Sequence, residues 1–127
     1  MPIRSVEVNT TGVAGSATGN KTSDWELQPC VLDAIKVDYH ASAPATTVLV
    51  VSEAGGLGRT LLTLTATATD GVFYLKHAVH DEAGAVVNGL KEPYVIEGKI
   101  TVTVTLSNAL VPVATVTLQV LEDSNVR

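Results

Sequence analysis

An alternating, threonine-rich pattern constrains this chain more than any other feature. Residues 60–69 read TLLTLTATAT. Successive side chains of an extended strand point to opposite faces, so Leu62, Leu64, Ala66 and Ala68 share one face and Thr63, Thr65, Thr67 and Thr69 the other. The pattern returns in KITVTVTL, with Ile100, Val102, Val104 and Leu106 inward against Thr101, Thr103 and Thr105. It returns again over 113–121, where Val116, Leu118 and Val120 oppose Thr115, Thr117 and Gln119. A period of two, repeated in β-branched sequence, predicts half-buried strands.

Further strands and their punctuation follow. Residues 31–41 place Ile35, Val37 and Tyr39 opposite Lys36, Asp38 and His40. TTVLVV at 46–51 is a continuous apolar run, which predicts a strand covered on both faces. Asp70-Gly71 and Asn88-Gly89 supply the positive φ angles of tight hairpin turns, and Asp81–Gly84 and Glu97-Gly98 predict further turns. EAGGLGR at 53–59 and SNALVP at 107–112 are connectors. No stretch has helical periodicity. The expected fold is all-β, an antiparallel β-sandwich of roughly eight to ten short strands, with the jelly roll as one variant.

The start of the chain differs. After a short strand at 3–8 comes NTTGVAGSATGNKTSD, too poor in apolar surface to order itself. Residues 1–24 are therefore read as a flexible or extended N-terminal arm, either a loose tail or a segment ordered by a neighbour. Residues 25–127 form the sandwich domain, with Trp25 at the junction.

Composition narrows the function. A net charge of -5, with no basic run, argues against nucleic acid, which is bound by Lys and Arg displacing counterions. No apolar run approaches the roughly 18 residues of a membrane-spanning helix, and the N-terminus lacks a signal peptide's apolar core. One cysteine, Cys30, precludes an internal disulfide framework and a cysteine-rich zinc site.

The candidate chemistry fails on geometry. His77 and His80, with Asp81, suggest a metal site, but residues three apart on a strand point to opposite faces. Cys30 and His40 are separated by about 33 Å of extended chain, too far for a nucleophile and its base. A buried structural thiol is the expected role of Cys30. Asp81 and Glu82 sit in a turn, without the contrasting environments of an acid/base pair. AGGLGR lacks the Gly-x-x-x-x-Gly-Lys of a phosphate loop. The expectation is a protein that is not an enzyme and uses no metal or cofactor.

Charged residues are only 17% of the chain, against about 25% typically. Residues 60–69, 100–106 and 113–121 contain none, with Arg59 and Lys99 only flanking, although exposed strand edges are normally guarded by charge. Coverage by other chains is therefore expected, in an obligate or near-obligate oligomer.

The low-complexity arm, CVLDAIKVDYHASAP, the series TLLTLTATATDGVFYLKHAVHDEAGAVV, then YVIEGKITVTVTL and VTLQVLED, together resemble the decoration (cement) proteins of tailed-bacteriophage capsids and similar small virion proteins. The likeness spans most of residues 25–122 and is one of style. It implies a structural protein made in the host bacterial cytoplasm and carried on the virion. There it would bind the major capsid protein on the outer capsid surface and associate with itself as a homotrimer. The arm then becomes the lattice-contacting element, with Val6, Val8, Val13 and Trp25 as candidate assembly contacts. Two alternatives stand beside it: a tail, collar or fibre component, and a carbohydrate-binding or adhesin-type module using Trp25, Tyr74 and Tyr94.

Overall fold

Strands that alternate apolar and polar side chains must close their apolar faces on one another, and here they do so as two sheets around one core. The computed structural model describes residues 3–121. In chain order these residues form β1 (Ile3–Val8), β2 (Ala17–Thr22), β3 (Leu27–Tyr39), β4 (Val48–Glu53), β5 (Thr60–Leu64) and β6 (Gly71–Phe73). There follow β7 (Lys76–His80), β8 (Val86–Pro93), β9 (Val95–Gly98), β10 (Ile100–Ser107) and β11 (Ala114–Leu121). The first sheet runs β1-β11-β3-β6, with β9 also pairing β3, and the second runs β2-β10-β4-β5. Every pairing is antiparallel. The all-β sandwich expected from the sequence is therefore the fold.

The pairings nest. β4 joins β5, β3 joins β6, β2 joins β10 and β1 joins β11, as though one long antiparallel ribbon had been rolled up. Only β7, β8 and β9 interrupt that nesting, between β6 and β10.

Alternation places the core. On β11, Val116, Leu118 and Val120 are buried between Thr115, Thr117 and Gln119, and on β10 Ile100, Val102 and Val104 are buried between threonines. They meet Leu32, Ile35 and Val37 of β3 and Leu49 and Val51 of β4. Each such side chain contributes about 1.5–3 kcal/mol by leaving water.

Residues 3–24 do not form an arm; they are built into the body. β1 pairs residue by residue with β11, and β2 pairs with β10. Val6 and Val8 are buried in the core, at 3% and 0% exposure, so neither is available for assembly. The polar linker is fixed by hydrogen bonds rather than apolar contact. Thr10 Oγ1 donates to the Asn108 carbonyl at 2.6 Å and accepts from the Leu110 N–H at 3.0 Å. Ser23 Oγ donates to the Trp25 carbonyl and accepts from the Ile100 N–H. The Trp25 indole N–H donates to the Ser5 carbonyl at 3.0 Å. Composition argues against self-ordering; it is silent about long-range partners such as these.

Three strand expectations need correction. The 60–69 alternation is extended only as far as Leu64, because Ala66 adopts a left-handed φ of 51° and the chain leaves the sheet. Leu106 turns outward and is 51% exposed: its φ of 53° and a register shift put Ser107 inside instead, where its Oγ accepts from Thr47 Oγ1. The 46–51 run is covered on one face only, with Leu49, Val51 and Glu53 buried and Val48, Val50 and Ser52 half-buried. Asp70-Gly71 is no tight hairpin either, since β5 and β6 belong to different sheets; Asp70 instead accepts the Tyr39 N–H through its carboxylate at 2.7 Å.

Candidate functional site: a projecting hairpin and its root

The segment that breaks the nested pairing also breaks the rule of burial. β7 and β8 form a two-stranded sheet of their own. Seven of the eight residues of β8 are exposed, with only Val87 half-buried. Val86 and Leu90 are each 55% exposed. The sequence VVNGLKEP explains this: it lacks the apolar alternation that would give the strand an inner face.

Asp81 closes the hairpin tip. Its carboxylate accepts from the N–H groups of Ala83 and Ala85 at 2.9 and 3.0 Å, and its own N–H donates to the Ala85 carbonyl. Gly84, at φ 85°, supplies the left-handed residue that the turn requires. The predicted turn over Asp81–Gly84 is thus present. Asn88-Gly89 does not turn the chain; it lies within β8. There Gly89, at φ 80°, bulges the strand where the register slips between Ala78 and His80.

The root is better built than the tip. The Tyr94 carbonyl accepts from the Leu32 N–H at 2.8 Å, and Val95 pairs with Val31. The His77 ring packs against Tyr94 at a tilt of 51°, with centroids 5.0 Å apart, and its Nε2 lies 3.6 Å from Glu92 Oε1. From the other sheet, Arg59 sits over the same Tyr94 ring at 5.5 Å, within cation–π range. Its Nη2 donates to the Val95 carbonyl at 2.6 Å. Two further bonds, of 2.6 and 3.2 Å, tie Arg59 to both carboxylate oxygens of buried Glu53. Hydrogen bonding to Glu53 holds the guanidinium pKa above its ordinary value despite partial desolvation. The clasp locks the 53–59 connector, which is the β4–β5 hairpin loop, to the hairpin's root.

A cleft of about 620 Å³ opens beside this clasp, lined by Glu26, Gln28, Leu57, Arg59, Val95 and Glu97 among others. Leu57, at the glycine-rich loop tip, is 84% exposed. A smaller cleft of about 330 Å³ lies under the hairpin between Leu32, Asp33, Tyr74, Lys76, Pro93 and Leu121.

The residues singled out from sequence are not brought together. His77 is engaged with Tyr94 and Glu92, whereas His80 is exposed at the end of β7. Among the described residues no three His, Cys, Asp or Glu side chains converge on a metal position. Cys30 is buried, its thiol 3.7 Å from the Ile96 carbonyl. Val13 is 76% exposed, but its loop is held to Asn108, before β11 begins, while the hairpin root lies at Leu121, where β11 ends. Trp25 is half-buried against the core. Sequence reading missed the hairpin as a projection, although the missing alternation in β8 was a usable signal.

Among the described residues no helix is long and apolar enough to cross a membrane. Comparison with family models, curated proteins and solved structures finds no match to this chain.

Proposed function

We propose that this protein is a structural virion component that docks on the outer surface of a phage capsid and, acting as an oligomer, stabilises the lattice of the major capsid protein. The observation that carries the reading is the β7–β8 hairpin. A two-stranded hairpin is marginally stable alone in water. This one extends β8 with hardly any face against its own body, and offers Val86 and Leu90 to the outside. Such an element gains most from a protein surface that covers it.

The strand order supports the same reading. With β7–β9 set aside as an insertion, the orders β1-β11-β3-β6 and β2-β10-β4-β5 favour the jelly-roll variant of the sandwich. That architecture recurs in viral capsid proteins, and function in such folds is carried by loops and insertions. Each docked copy adds an interface that must break before the shell opens, so binding stabilises the assembled lattice by linkage. Copies joined to one another would gain avidity across neighbouring capsid subunits. The chemistry proposed is non-covalent, with no catalytic step, metal or cofactor.

Tail or collar attachment uses the same hairpin and differs only in the surface met. The carbohydrate reading rests on Tyr74 alone, which is 73% exposed, because Trp25 and Tyr94 pack against the core.

Co-sedimentation with purified capsids of the encoding phage tests the proposal. The native chain is expected to pellet with capsids, and a Val86→Asp, Leu90→Asp double variant to bind at least about tenfold more weakly. Equal binding by the two chains, or binding to isolated tails and not to capsids, would overturn it.

A further inference from the structure

Within the strands themselves the outer face of the β2-β10-β4-β5 sheet carries no charged side chain; exposed Lys99, next before β10 and bonded through its carbonyl to the Ala54 N–H, stands at its border. In register across the sheet stand Thr22, Thr101, Ser52 and Thr60, and beside them Asn20, Thr103, Val50 and Thr63. Thr105 and Val48 extend the pattern by one more pair. The opposite sheet differs. Its outer face carries Glu7 and Asp38, both in register with Thr115, and Lys36, whose Nζ lies 3.6 Å from Asp38. One face is dressed for water; the other resembles the charge-depleted centre of a protein interface.

We propose that this uncharged face is where a second copy of the chain packs, sheet against sheet. The proposal deepens the oligomer part of the function above and does not require the capsid part. Charge complementarity selects the occupant. A partner bringing Lys, Arg, Asp or Glu onto the middle of this face would bury a charge that no side chain there can pair. A hydroxyl both donates and accepts, so a field of threonines is its own complement. Thr22 and Thr101 already bond in this way across two strands, at 2.9 Å. Val48 and Val50, half-buried on the central strand β4, supply the apolar centre. The one surface described above that offers uncharged hydroxyls around an apolar centre is the same face of another copy.

The geometry also sets the symmetry and strength. A surface that meets itself makes a two-fold, closed dimer, in contrast to the trimer that the virion resemblance implies. Four strands spaced at about 4.8 Å, each contributing roughly five or six residues at about 3.4 Å, give a plan area on the order of 350 Å². Side-chain relief raises the accessible area above that, toward the lower end of the roughly 800 Å² per partner of a standard interface. The dimer is therefore weak and concentration-dependent.

Light scattering of the full chain from about 10 μM to about 1 mM, the range in which weak interfaces assemble, tests this. The native protein is expected to rise toward twice the chain mass. Val50→Lys should stay a monomer across the range with its melting transition intact; should that variant fail to fold, Thr63→Lys, on the exposed edge strand, takes its place. A native chain that stays monomeric throughout would overturn the inference, as would a trimer or a dimer unmoved by either substitution. The capsid assay separates the two proposals. A monomeric Val50→Lys chain that still pellets with capsids leaves the hairpin reading standing. A native monomer whose capsid binding is lost with Val50→Lys would assign this face to the capsid subunit instead.

Discussion

β8 and β11 are both eight-residue strands, yet one is almost wholly exposed and the other alternates buried and half-buried residues along its length. β11 lies between β1 and β3 and delivers Val116, Leu118 and Val120 to the core. β8 has a single strand partner, β7, and leaves Val86 and Leu90 exposed, with only Val87 half-buried. Extended conformation is thus common to both, and what differs is whether the sequence gives the strand a face to bury. A strand without such a face adds little to folding. A projection held at a well-clasped root is what the proposed docking role calls for.

That contrast can be broken or sharpened by measurement. The largest effect belongs to the core. Leu118→Ala removes a fully buried side chain, and urea unfolding should show a loss of about 2–5 kcal/mol. A loss below about 1 kcal/mol would mean the two sheets are not packed as described.

The next effect is smaller and of opposite sign. The Tyr39 hydroxyl is buried and has no hydrogen-bond partner. Burial, then the nearby Asp70 carboxylate, raises its pKa from 10.0 to about 12. Because the folded state holds this proton more tightly, the stability it brings is full below pH 10 and is lost as pH rises through about 12. Tyr39→Phe should stabilise the protein by up to about 1 kcal/mol at neutral pH by removing an unsatisfied hydroxyl. It should also flatten the alkaline limb of a stability profile recorded from pH 9 upward. An unchanged alkaline slope in the variant would show that another group sets it.

The smallest effect is expected on the hairpin. Leu90→Ala should shift unfolding by no more than about 0.5 kcal/mol, as for an exposed substitution. A cost approaching that of Leu118→Ala would erase the distinction between the two strands and give the hairpin a place in the isolated chain's own stability.

Much of the body is legible in the sequence because a period of two is a local property. The Thr/Val alternations of β10 and β11 announce which side chains go inside, and the structure places them there as far as Val104 and throughout 114–121. Departures from the pattern are not local. Ala66 and Leu106 take left-handed backbone angles that no residue preference would assign to alanine or leucine. They are held there by neighbours far along the chain, as Ser107 is by Thr47. The turn at Asp81 was readable, since a carboxylate bonding the next N–H groups needs only its own sequence neighbours. Asn88-Gly89 misleads because the same positive φ serves a bulge as well as a turn.

The sequence by itself determined that the chain would be all-β, which residues of β10 as far as Val104 and of β11 would be buried, and that threonine would dominate the outward sides of those two strands. These follow from side-chain direction along an extended backbone and from composition, both independent of strand order. Only the tertiary structure decided that residues 3–24 join the sandwich rather than leave it, that β7 and β8 stand outside it, and that Arg59 ties Glu53 to the hairpin's root. Each of those depends on pairing between residues distant in sequence, and their partners come together only once the ribbon has rolled up.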